Sequence, residues 1–192
     1  KLSDFTTGSW TNFQNPDFSL VSINTARFDT TKHRASPVVS DAKIGLNKLS
    51  KELGDWRAPS NWYERAIEEK QKWEAYVQKE SGPTNQETPS YAQAVGAVYR
   101  NADPSDIVVT AAGGLVGEVV QIWKPKQLNT FETEWGFSCM GYEISGALGI
   151  KMAKPNQDVV VFIGDGSYLL HNSDIYSSVF YDQKLIIVVC DN

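Results

Sequence analysis

Hydrophobic residues in this chain change their rhythm twice. Residues 1–17 are polar and turn-rich, with no sustained period. Phe18–Thr25 reads as a strand. Asp41–Leu53 then carries Ile44, Leu46, Leu49 and Leu53, an imperfect helical stripe. Ser40 is placed as its N-cap and Gly54 as its stop. Gly54–Ser60 reads as a linker. Residues 61–80 are charged and aromatic and predict a long surface helix. After a loop over 82–88, a second helix is expected from Ser90 to Asn101.

Beyond residue 106 a regular alternation begins. Strands are expected at Ile107–Ala111, Asn129–Glu134, Val159–Ile163 and Leu185–Cys190. Between them lie helices opening at Gly113-Gly114, at Gly141 (to Ala153) and at Ser167 (to Tyr181). Continuous Val/Ile strands are what a sheet buried on both faces requires. Strand–helix repetition of this kind predicts an α/β, doubly wound parallel sheet.

Composition narrows the classes. The 192 residues include 41% hydrophobic positions and carry a net charge of −5. No dense Lys/Arg cluster tracks a phosphate backbone, so nucleic acid is not expected as a partner. The apolar run Leu185–Cys190 is too short to span a membrane, and a cytoplasmic location is expected. Cys139 and Cys190 lack metal-site spacing and are expected to be buried, reduced thiols. Lys1 stands where an initiator Met would, and Asn192 directly follows a strand. A piece of a longer protein is the expectation.

Candidate chemistry concentrates in Val159–Asn192, where a buried strand ends in Gly164-Asp165-Gly166-Ser167 and a second ends in Asp191-Asn192. Both tips belong on the carboxyl edge of the sheet, where open α/β sheets bind ligands. Gly164 and Gly166 permit tight turns, and amides at Gly166 and Ser167 can face an anion. The Asp165 carboxylate and the Asn192 amide are oxygen ligands. With phosphate oxygens and water they suit Mg²⁺. The plainer reading is a strand-to-helix turn with Asp165 as a cap.

G-D-G-S, an intervening helix and strand, and a terminal Asn resemble the thiamine diphosphate (ThDP) motif of the pyruvate decarboxylase and acetolactate synthase superfamily. The spacing from Asp165 to Asn192 is similar to that family's metal-ligand spacing. Asp191-Asn192 stands where the family usually has Asn-Asn, and the family's third protein ligand, a backbone carbonyl, would lie two residues further on. Thr110-Ala111-Ala112-Gly113-Gly114 resembles the loop touching the cofactor's diphosphate. Trp135–Gly141 resembles the loop in which a bulky apolar residue, here Met140, wedges the cofactor into a bent form. The resemblance implies that the Met140 N–H and the Ser138 carbonyl hold the aminopyrimidine. It implies ThDP and Mg²⁺ as cofactors, a small-molecule substrate and a homo-oligomer. It also implies that residues 1–54 end a Rossmann-like central domain and that 55–192 form a diphosphate-binding domain truncated at its C-terminal side. The activating Glu would sit on a separate pyrimidine-binding domain, so no catalytic residue is expected in this chain, and the chain alone is expected to be inactive.

The segments TAAGGLVGEVVQIW, EWGFSCMGYEISGALGIKMA and GDGSYLLHNSD resemble one branch of that family, the C–C hydrolases that open a cyclic 1,2-dione in inositol catabolism. An acetolactate synthase-like ligase, an oxo-acid decarboxylase and a non-catalytic Rossmann-like binding module stay open as alternatives. His171 and Glu134 could face such a site or simply pack and cap. His33 reads as a surface group, and Trp56, Trp62 and Trp73 as local packing or cover for further domains.

Overall fold

Val and Ile crowd their neighbours at Cβ and favour extended backbone, and where they run unbroken both faces of the strand must find apolar cover. The computed structural model, which describes residues 2–134 and 136–191, shows two compact units, residues 1–63 and 64–192.

The first unit contains α1 (Asp4–Thr7), β1 (Val21–Asn24), α2 (Arg27–Thr30), β2 (Ser36–Val39) and α3 (Ala42–Leu53). β1 and β2 pair in parallel, with Ile23 opposite Val38. The strand expected from Phe18 is thus confined to four residues. β2 is an addition to the expected elements; it contains Pro37, a residue that sheets admit mainly on edge strands. Asp41 caps α3 in place of Ser40, accepting the Ile44 N–H at 3.2 Å. Gly45 sets which side of α3 meets β1: a Cβ there would come 2.8 Å from Ile23 Cγ2. The stripe of Ile44, Leu46, Leu49 and Leu53 stays exposed.

α4 (Ser60–Glu80) begins in the first unit and continues into the second, where α5 (Tyr91–Asn101) precedes β3 (Ile107–Thr110), α6 (Gly114–Ile122), β4 (Phe131–Thr133), α7 (Tyr142–Ala153), β5 (Val159–Gly164), α8 (Asp165–Leu170), α9 (Ser173–Phe180) and β6 (Ile186–Cys190). Ser90 and Gln93 form a capping box at the start of α5, through bonds of 3.2 and 2.9 Å. The four strands run parallel in the order β4-β3-β5-β6.

Period-two alternation divides the strand side chains between two cores. Val108, Val160, Phe162 and Cys190 pack with Val77, Val95, Leu115, Val119, Ile122 and Trp123, drawn from α4, α5, α6 and the residue after it. Ile107, Val109, Val159, Val161 and Ile163 pack with Ile144 and Ala147 of α7, flanked by Tyr168 and Ile175. The sheet is therefore α/β and covered on both faces, as expected. The helix expected over Ser167–Tyr181 is two helices, separated at His171 and Asn172. Among the described residues no helix is long and apolar enough to cross a membrane.

Candidate functional site

Parallel pairing sends the C-terminal tips of β3, β4, β5 and β6 to one edge of the sheet. Gly164 pairs with Cys190, and Thr110 with Thr133, so the tips of β5 and β6 are neighbours, as are those of β3 and β4. At this edge the chain turns from strand to helix at residues 110–114 and 164–167.

The turn after β3 ends in Gly113, the N-cap of α6, with φ +81°, a left-handed conformation that only glycine adopts freely. Gly114 follows as the first helical residue. A Cβ at Gly113, Gly114 or Gly164 would meet nothing within 4 Å. Packing inside the chain therefore does not demand glycine at 114 or 164, and glycine in the first turn of α6 costs about 1 kcal/mol relative to alanine. Open space beside backbone at a sheet edge is what a ligand approaching main-chain atoms needs. The Thr110 hydroxyl at the tip of β3 is buried without a hydrogen-bond partner.

Asp165 is the first residue of α8, with Gly164 as N-cap, so the carboxylate lies in the first turn and does not cap. Ser167 in the same turn is buried. A Cβ at Gly166 would come 3.4 Å from Met140 Cε, which puts the Gly164–Ser167 turn against the loop that precedes α7. Met140 itself is half-exposed, with room for a further contact. Among the described residues no group of three or more His, Cys, Asp or Glu could hold a metal ion. Any ion at Asp165 would need ligands of another kind, such as phosphate oxygens. Asn192, the second expected ligand, lies outside the described residues, as does Trp135.

The loop bearing Met140 is shaped by two carboxylates. Glu134 accepts the Phe137 and Cys139 N–H groups, each at 2.8 Å. These bonds, that from Cys139 foremost, hold its carboxyl below the ordinary carboxylate value. Within this loop Ser138 takes φ +54°. Cys139 is exposed, contrary to the buried thiol expected, because the loop turns its side chain outward beside Glu134. Desolvation and the Glu134 charge raise its thiol above the ordinary thiol value. Cys190 is buried as expected.

Glu143, in the first turn of α7, is fully buried. It accepts the Gly141 N–H at 2.9 Å and the Ala112 N–H at 3.2 Å, linking the loop before α7 to the loop after β3. Sequence reasoning missed this residue. An acidic residue in a first helical turn ordinarily faces water near the positive end of the helix dipole. His171 sits between α8 and α9. It is half-exposed, 3.6 Å from Asp174, and packed so closely on Gly141 that a side chain at 141 would collide with it. His33 belongs to the first unit, where its ring lies 4.8 Å from that of Trp10. A cleft of about 640 Å³ beside it, lined by Leu20–Asn24, Asp29 and Lys32, contains none of the expected site residues.

Three segments far apart in sequence thus converge: 110–114, 138–141 and 164–167. The fold is that of a doubly wound α/β domain, and its glycine-rich turns lie at the carboxyl edge, where open α/β sheets bind ligands. Residues 111–192 match the family described as "Thiamine pyrophosphate enzyme, C-terminal TPP binding domain". Over its whole length the chain is also similar to proteins named 3D-(3,5/4)-trihydroxycyclohexane-1,2-dione hydrolase. It is 33% identical to that of Geobacillus thermodenitrificans, covering 33% of it, and 32% identical to that of Clostridium tetani, covering 34%. Identity is 33% with that of Lacticaseibacillus casei, again over all of this chain and 33% of the relative. The chain spans about a third of the length of these relatives.

Proposed function

We propose that this chain is the diphosphate- and metal-holding part of a ThDP- and Mg²⁺-dependent C–C hydrolase that opens trihydroxycyclohexane-1,2-dione. The observation that carries the cofactor reading is the convergence of the three loops within residues 111–192, with open space beside Gly113, Gly114 and Gly164. The substrate reading rests on the names of the relatives.

The residues fit the group. Main-chain atoms at Gly113, Gly114 and Gly164–Ser167 would hold the diphosphate, and Asp165 with Asn192 would hold Mg²⁺. Met140 would support the bent cofactor from one side. The Met140 N–H and Ser138 carbonyl would orient the aminopyrimidine. When bound, ThDP supplies a carbon nucleophile and an electron sink for breaking a bond next to a carbonyl. Within this chain the work is binding, orientation and charge neutralisation; the proton-relaying Glu belongs to a pyrimidine-binding domain outside it. The working enzyme on this reading is a cytoplasmic homo-oligomer acting on a small molecule, with no part for nucleic acid or membrane.

The test is calorimetry of ThDP on the full-length protein with and without Mg²⁺, for wild type and Asp165→Ala, followed by product analysis on the cyclic dione and on pyruvate. We expect Mg²⁺-dependent binding that Asp165→Ala weakens at least ~100-fold, about 2.7 kcal/mol, and ring opening of the dione alone. Equal binding by the two proteins would overturn the metal assignment. Turnover of pyruvate and not the dione would move the protein to the ligase or decarboxylase class.

A further inference from the structure

A carboxylate is seldom fully buried unless its charge is met, because desolvation disfavours the ionised form. Glu143 is fully buried, and among the described residues it forms no ion pair. Its two oxygens are divided instead between two backbone N–H groups, Oε2 accepting from Gly141 and Oε1 from Ala112. The first bond belongs to the start of α7 and would satisfy an ordinary helix end. The second reaches a residue 31 positions away in sequence, in the loop between β3 and α6. A helix cap has no need of it.

We propose that Glu143 is a positioning residue that ties the loop Thr110–Gly114 to the loop Ser138–Gly141. Resting on the cofactor reading above, this fixes the distance between the main chain that would grip the diphosphate and the main chain that would grip the aminopyrimidine. Both anchors are immediate neighbours of the residues that would make contact: Ala112 precedes Gly113, and Gly141 follows Met140. A carboxylate suits the task because it is acceptor-only and can receive one donor on each oxygen. Gln keeps the shape but replaces one acceptor by an NH₂ that must face an N–H, so one tie is lost. Asp keeps the charge but is one methylene shorter and cannot reach both amides.

The experiment compares wild type, Glu143→Gln and Glu143→Asp in the full-length protein. Hydrogen exchange is measured at the Ala112 and Gly141 amides without cofactor, and ThDP affinity by calorimetry with Mg²⁺ present. Ile144→Val, which trims a buried neighbour on the same helix, serves as a control for simple loss of stability. We expect exchange at Ala112 or Gly141 to speed up at least ~10-fold in both Glu143 variants, and affinity to fall at least ~10-fold, about 1.4 kcal/mol. The Ile144→Val control should melt earlier yet bind within about twofold of wild type. Should Glu143→Gln not fold, Glu143→Asp decides alone. Unchanged exchange at both amides overturns the tie, and faster exchange with unchanged affinity overturns the positioning role. If wild type takes up no ThDP, the cofactor reading fails, and the exchange comparison still decides whether the tie exists.

Discussion

Two parallel strand pairings in this chain, β1–β2 and β3–β5, have opposite surroundings. β3 and β5 are flanked by other strands and covered by helices on both faces, so Val108, Val109, Val159 and Val161 lose all or nearly all contact with water. β1 and β2 form a two-stranded sheet in which Val21 is 63% and Val39 54% exposed. The number of neighbouring elements thus sets how much a strand contributes. A two-stranded sheet is marginal by itself, whereas four strands under two helical layers can exclude water from the central pair. The longest helix lying wholly in the first unit follows the same rule: α3 presents Gly45 to β1 and leaves its leucines outside.

The largest test of this contrast is Phe162→Ala. Phe162 is fully buried and meets Trp123 edge-on at 5.9 Å. We expect a loss of about 3–5 kcal/mol in denaturant unfolding. Next is Gly96→Ala in α5, where the new methyl would overlap the Ser81 carbonyl, which already accepts a 2.6 Å bond from Arg100. About 1–3 kcal/mol should be lost, read from the same unfolding curves. Leu49→Ala on α3 should cost no more than about 0.5 kcal/mol, because Leu49 is 47% exposed. A Leu49 effect as large as that of Phe162 would break the comparison, since it would require α3 to be covered.

The smallest expected effect is one of pH. Hydrogen bonds from Cys139 and Phe137 lower the Glu134 carboxyl below its ordinary value of 4.5. A depressed acid stabilises the fold above its unfolded-state value and loses that contribution as pH falls through the lower folded value. The 134–139 loop should therefore hold its amide protection above pH 4.5 and lose it on further acidification, followed by NMR at the Phe137 and Cys139 amides. Glu134→Gln should flatten that dependence.

The alternation of the second unit was legible because unbroken Val/Ile runs leave a buried strand few rivals. The glycine turns were legible as well, since glycines clustered at strand ends have few other uses. Three features were not. β2 is short and contains Pro37, so local chemistry argued against a strand that pairing with β1 nevertheless forms. The break at His171-Asn172 has no Gly or Pro to announce it, and the apolar spacing runs on across it into α9. Glu143 looked like any acidic residue near a helix start. Its role depends on Ala112 being brought to it by the sheet, which no local window contains.

The empty space beside Gly164 also bears on how damage to this protein would show itself. Gly164 has φ −77°, which alanine accepts, and a methyl there would touch nothing. Replacing glycine at such a compatible position tends to strengthen a fold by restricting the unfolded chain. Screens for solubility, yield or melting temperature would pass such a variant, or rank it above the parent, and on the proposed cofactor reading only a binding measurement would show the loss.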